Sequence, residues 1–161
     1  MQQKKEFIKA IKENEGIIFK VTSIYCANKE DQKDLYQEIV YQLWKSFPLF
    51  RNESKITTWM YRVALNTSIT HLKKEKRNGT KLELDELVEY KIEHKNTLIE
   101  ERIQILYAHI KNLNTIEKGI ILLYLEGKSY DEIASITGFS NTNIGTRIGR
   151  IKQKLKSEIK K

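Results

Sequence analysis

One proline, Pro48, interrupts this chain of 161 residues, and its apolar residues return every three or four positions with almost no strand-like alternation. That periodicity leads to one architecture, a set of amphipathic helices that bury their apolar stripes against one another. Leu, Ile, Lys and Glu are plentiful and there are only seven glycines. The chain is all-α.

The helices fall into two groups. A first segment carries Ile17, Ile18, Val21, Ile24 and Tyr25 on one face. A second runs from about Asp31 to Phe47, where Pro48 stops it, and a third from about Thr57 to Arg77. Asn78-Gly79 then breaks the pattern, and Glu83, Asp85, Glu86, Glu89 and Glu93 make the next stretch acidic. The expected organisation is two small helical domains, 1–77 and 96–161, joined by an acidic linker over 78–95. Beyond it, Ile99, Ile103, Leu106, Ile110 and Leu113 form a helical stripe. Asn114 with Glu117 and Ser129 with Glu132 fit capping boxes, Gly127 and Gly138 end the helices that follow, and Ser140 can cap the last.

A formal charge of +8 suits a polyanionic partner such as nucleic acid, although a solvated lysine surface gives the same number. Cys26 is the only cysteine, so no intrachain disulfide is possible; its apolar neighbours suggest a buried structural thiol in a reducing interior. No apolar run approaches the roughly 20 residues of a membrane span, and the first residues lack a signal-peptide core. The expected setting is soluble and cytoplasmic, without membrane insertion. The histidines, His71, His94 and His109, lie on separate segments, and there is no phosphate-cradling loop, metal-ligand cluster or nucleophile motif. No catalytic residue, metal or cofactor is therefore expected, and the chain is read as a non-enzyme.

The C-terminal punctuation describes a helix-turn-helix: a short helix over 130–137, a tight turn at Gly138-Phe-Ser140, and a longer basic helix. Ile144, Ile148, Ile151 and Leu155 lie within about 40° of one another around the last helix. Opposite them are Thr142, Thr146, Gly149, Arg150 and Gln153, flanked by Asn143, Arg147 and Lys154. Gly145 and Gly149 each cost about 1 kcal/mol in a helix, which makes sense if the outward face lies close against DNA. The alternative is an ordinary helical hairpin with a solvated face.

The third helix sets Met60, Tyr61, Ala64, Leu65 and Leu72 on one side and Trp59, Arg62, Asn66, Thr70, Lys73 and Arg77 on another. A tryptophan on the basic side either stacks on unpaired bases or packs into a neighbouring helix, and periodicity does not choose between them. The second helix has an apolar band including Leu35, Ile39, Leu43 and Trp44, beside a polar face of Asp34, Gln37, Glu38, Tyr41 and Gln42. That face suits a protein partner or simple solvation.

These residues resemble sigma factors of the sigma-70 superfamily, extracytoplasmic-function group. Asp34-Leu-Tyr-Gln-Glu-Ile-Val-Tyr-Gln-Leu-Trp44 looks like region 2.2. Phe50-Arg-Asn-Glu-Ser-Lys-Ile-Thr-Thr-Trp-Met-Tyr-Arg-Val-Ala-Leu-Asn66 resembles the F-x-x-x-S-x-x-x-T-W-L-Y-R-I-A-x-N pattern of regions 2.3 and 2.4, and Leu113 through Lys156 is similar to region 4. The resemblance implies a subunit that binds core RNA polymerase and directs promoter recognition, melting and transcription initiation. Asp34, Gln37, Glu38 and Tyr41 would contact the clamp of the polymerase's largest subunit, and region 4 the flap of the second-largest. Lys55, Thr58, Trp59, Arg62 and Asn66, with Lys73, Lys74, Lys76 and Arg77, would bind the melted −10 element, Asn66 at a loop that captures a flipped base. Thr142, Asn143, Thr146, Arg147, Arg150 and Lys154 would meet the −35 duplex. An anti-sigma factor is a further candidate partner.

The chain departs from the family pattern at four places. Leu65 replaces an arginine, Thr70 a frequent aspartate, Gly145 a basic residue, and Leu113-Asn114 the usual Leu-Pro. These bear on which promoter is read. The alternative function is a stand-alone helix-turn-helix regulator, which would self-associate on a palindromic site and assigns nothing to Trp59 or the second helix.

Overall fold

The structure, a computed structural model, describes residues 2–50, 52, 54–78 and 98–159; for 75–78 and 98–100 it describes the backbone alone. The expected linker, 78–95, lies outside the described residues except for the backbone of Asn78, as do the side chains of Lys76, Arg77 and Ile99. The chain divides into two compact units, Met1–Glu89 and Tyr90–Lys161.

The first unit holds α1 (Gln2–Glu13), α2 (Glu15–Tyr25), α3 (Lys29–Ser46) and α4 (Ile56–Asn78). Helix α3 begins at Lys29 because Asn28 caps it, its side-chain oxygen accepting the Asp31 backbone N–H at 2.8 Å. Gln32 donates to the Cys26 carbonyl at 3.0 Å and closes the α2–α3 turn. Pro48 sits in the 3₁₀ turn Phe47–Leu49 that ends α3. Ile18, Ile24, Leu35, Ile39, Leu43 and Met60 are fully buried where α2, α3 and α4 pack together. Each such side chain contributes about 1.5–3 kcal/mol by leaving water. Cys26 is buried and outside any disulfide, as its apolar surroundings and its being the one cysteine suggested. Helix α1, which periodicity did not mark, docks through Phe7 and Ala10; the Phe7 ring meets Trp44 edge-on at 5.0 Å and Phe47 at 5.3 Å.

The second unit holds α5 (Leu98–Ile110), α6 (Thr115–Leu125), α7 (Tyr130–Thr137) and α8 (Asn141–Ile159). Both expected capping boxes form, at Asn114 with Glu117 and at Ser129 with Glu132. Gly127 and Gly138 take φ of 83° and 88°, the left-handed conformation that releases a chain from a helix. Ser140 accepts the Asn143 backbone N–H at 3.1 Å and so caps α8. The core joins Ile120, Leu122 and Leu123 of α6 and Ile133 of α7 to the isoleucine stripe of α8. Among its described side chains the stripe on α5 is unevenly covered. Ile110 is buried where α5 meets α8, as is Leu113 just beyond the helix, whereas Ile103 is 46% exposed.

Candidate nucleic-acid interface

The helix-turn-helix is built from its punctuation. The Gly138 N–H donates to the Ala134 carbonyl at 2.8 Å, and the positive φ there turns the chain from α7 into α8. Ile144, Ile148, Ile151 and Leu155 anchor α8, leaving Thr142, Asn143, Thr146, Arg150 and Gln153 exposed on its other side. The outward residues differ in what already engages them. Arg147 donates through Nε to Asn143 Oδ1 at 2.6 Å, and its guanidinium lies 4.2 Å from the centre of the Phe139 ring. Lys154 pairs with Glu117 of α6 at 3.3 Å. Arg150 makes no hydrogen bond or ion pair among the described residues.

The two glycines of α8 also differ. A Cβ at Gly149 would meet nothing within 4 Å, which agrees with an outward position. At Gly145 a Cβ would sit 3.4 Å from the Tyr130 ring, so this glycine faces α7 and the outward reading does not extend to it. Beside it, Lys152 donates to the Tyr124 hydroxyl at 2.6 Å, and that hydrogen bond holds the ammonium pKa above its ordinary value.

In the first unit, α4 corrects two expectations. Trp59 is 8% exposed, stacked on Phe50 with ring centres 4.9 Å apart and tilted toward Phe47 at 6.0 Å. Of its two readings, packing is the one this structure adopts. The reason is tertiary: the turn at 47–50 folds over the end of a face that looks open on an isolated helix. Thr58 is buried with it. Asn66 does not sit at a loop, since α4 runs unbroken from Ile56 to Asn78. Lys55, Asn66, Lys73 and Lys74 are exposed, and Arg62 is half-buried.

The structure brings together residues that the sequence assigned to separate partners. An open groove of about 340 Å³ between α3 and α4 is lined by Glu38 and Gln42 on one side and by Asn66, Thr70, His71 and Lys74 on the other. Gln42 donates to Glu38 across one turn at 3.0 Å. Asp34, Gln37, Glu38 and Tyr41 are all exposed, but they divide. Gln37 and Tyr41 line a second, apolar hollow of about 390 Å³ with Phe7, Tyr36, Val40 and Trp44. Burial, and after it the charge of Glu15, raise the Tyr36 hydroxyl pKa above 10.0. Phe7 and Phe139 are contributors that sequence reasoning missed; Phe7 lies on a helix with only two buried residues, and Phe139 lies in the turn between α7 and α8.

A helical unit with a polar, acid-bearing face beside a cationic helix, and a second unit built as a helix-turn-helix, are the architecture of a DNA-binding transcription protein. The chain matches Sigma-70 region 2 over residues 10–78 and Sigma-70, region 4 over residues 103–155, and it belongs to the sigma-70 family as a sigma factor of the extracytoplasmic-function type. It is 27% identical to the RNA polymerase sigma factor SigV of Bacillus subtilis, over 96% of this chain and 91% of that one. To the ECF RNA polymerase sigma-E factor of Escherichia coli it is 26% identical, over 80% and 74%. Its fold is similar to that of the sigma factor RpoE of Bartonella quintana, solved in complex with the anti-sigma factor NepR (TM-score 0.74, 19% identity, 98% of this chain and 96% of that one). It is also similar to CnrH, solved with the cytosolic domain of CnrY (TM-score 0.67, 18% identity, 98% and 89%).

The function is therefore that of a sigma factor, which acts with core RNA polymerase on promoter DNA to direct transcription initiation. The stand-alone regulator is not favoured, since the first unit matches region 2. The family is in general a non-catalytic part of RNA polymerase. None of the described helices is long and apolar enough to cross a membrane.

Proposed function

We propose that residues 1–77 hold the polymerase clamp and the melted −10 strand, while residues 96–161 hold the −35 duplex and the flap. Asn66, Lys73 and Lys74 supply the exposed polar and cationic groups for the melted strand, with Lys76 and Arg77 continuing the track. Trp59 and Thr58 act from beneath the surface, Trp59 by bracing the turn at 47–50 that precedes Lys55 in the chain. Thr142, Thr146, Arg147 and Arg150 meet the duplex, and Lys154 reaches a phosphate by exchanging Glu117 for it. Asp34, Gln37, Glu38 and Tyr41 meet the clamp. The chain works in the cytoplasm, contributes no catalysis of its own, and can be masked by an anti-sigma factor across the same faces.

The observation that carries this reading is α8, where four buried isoleucine and leucine anchors stand behind a row of exposed Thr, Asn and Arg side chains. Such a helix can enter a major groove while its scaffold stays folded. The test is reconstitution. The chain should bind core polymerase as one copy per enzyme and support run-off transcription from promoters that core alone does not open. Binding to a palindromic duplex as a dimer, with no effect on core polymerase, would overturn it.

A further inference from the structure

The cations of α8 are treated differently by their surroundings. Arg147 is gripped on two sides. Its Nε donates to Asn143 Oδ1 at 2.6 Å, one turn earlier on the same helix, and its guanidinium lies 4.2 Å over the Phe139 ring. Each partner is itself held. Phe139 follows Gly138, whose φ of 88° throws it back under α8, and its N–H donates to Thr137 Oγ1 at 3.4 Å. The Asn143 backbone N–H is tied to Ser140 Oγ at 3.1 Å, which places this residue in the first turn of the helix. Arg150, three residues on, is exposed and has no such grip among the described residues.

A guanidinium has five N–H donors in a rigid plane. With Nε committed to Asn143 and one ring beneath the plane, the two Nη groups remain and their direction is set. That leaves an end-on, bidentate approach, the geometry that matches the O6 and N7 acceptors of a guanine in the major groove. Holding a long side chain in place before binding removes part of the ordering cost of binding. A mobile arginine suits a phosphate, which accepts from many directions. Resting on the assignment of α8 to duplex DNA, we propose that Phe139 and Asn143 are positioning residues that preset Arg147 as the base-reading side chain of α8, and that Arg150 is a phosphate contact. Asn143, expected to touch DNA itself, then acts through Arg147.

The experiment uses holoenzyme reconstituted from core polymerase and the full chain, bound to a library of duplexes randomised across the upstream element and sequenced after selection. Arg147→Ala should flatten the preference at one base pair by about five- to a hundredfold. Phe139→Leu and Asn143→Ala should flatten the same base pair by about two- to fivefold and leave the others alone. Phe139→Tyr keeps the ring and should keep the profile, which guards against a variant that merely loosens the turn. Added to Arg147→Ala, Phe139→Leu should change nothing further. Arg150→Ala should weaken all sequences alike and lower the salt dependence. An unchanged profile in Phe139→Leu, or an equal loss with and without Arg147, overturns the positioning role. If neither arginine matters to preference or affinity, α8 is not the reader, and the proposal falls with the assignment beneath it.

Discussion

Trp59 was placed on a line with Arg62, Asn66 and Lys73 by helical spacing, and that placement around α4 is correct. Helical spacing carries no information about the turn at 47–50, whose two phenylalanines cover the indole. An open ring and a covered ring have the same sequence signature until the chain around them is folded. The distinction changes what a substitution measures. Trp59→Ala removes a large, nearly buried ring and should cost about 3–5 kcal/mol, seen as a lowered melting temperature of the first unit, so a melting defect in that variant would be indirect. Asn66 is exposed on the groove with Lys74, and Asn66→Ala should move stability by less than about 0.5 kcal/mol. If Asn66 meets the melted strand, permanganate reactivity of promoter thymines should nevertheless fall severalfold in that variant. Normal reactivity at normal stability would remove Asn66 from the DNA-binding set.

At the scale of the element, legibility followed local chemistry. The two capping boxes and the left-handed glycines were readable because each is a short-range pattern of donors and acceptors that folds the same way wherever it occurs. Helix α1 was not readable, since Phe7 and Ala10 are its only buried residues and its lysines resemble a solvated tail. Nor did the stripe on α5 reveal that Ile103 is exposed while Ile110 is buried. Helix α8 offers a test that separates folding from binding. Gly149 lies in open space on a well-formed helix, so Gly149→Ala should stabilise that helix by about 1 kcal/mol and raise the melting temperature of the second unit. The same methyl group stands where the helix would approach the duplex, and upstream-element affinity should drop as stability rises. A variant that is more stable and binds equally well would show that α8 does not approach DNA along the line of Gly149.

For the molecule as a whole, charge and partner choice pull in opposite directions, and that opposition can be measured. The chain carries +8, and DNA binding driven by phosphate neutralisation falls with salt at a slope of about −0.9 per phosphate contact on duplex and about −0.7 on single strands. Asp34 and Glu38 are exposed acidic residues on the ridge of α3, against that overall trend. Glu38 also lines the groove that holds Asn66 and Lys74, so its charge lowers the local attraction for a phosphate. If charge alone governed activity, Asp34→Lys with Glu38→Lys would improve every function of the protein. If these carboxylates grip the polymerase clamp, the double variant should bind free DNA more tightly, with a steeper salt dependence, yet lose core binding and transcription. Far-ultraviolet circular dichroism should remain unchanged, because neither side chain is buried. Tighter DNA binding with undiminished transcription would show that α3 does not contact the polymerase through Asp34 and Glu38, and would leave Gln37, Tyr41 and the apolar hollow behind them as the only part of that face to test.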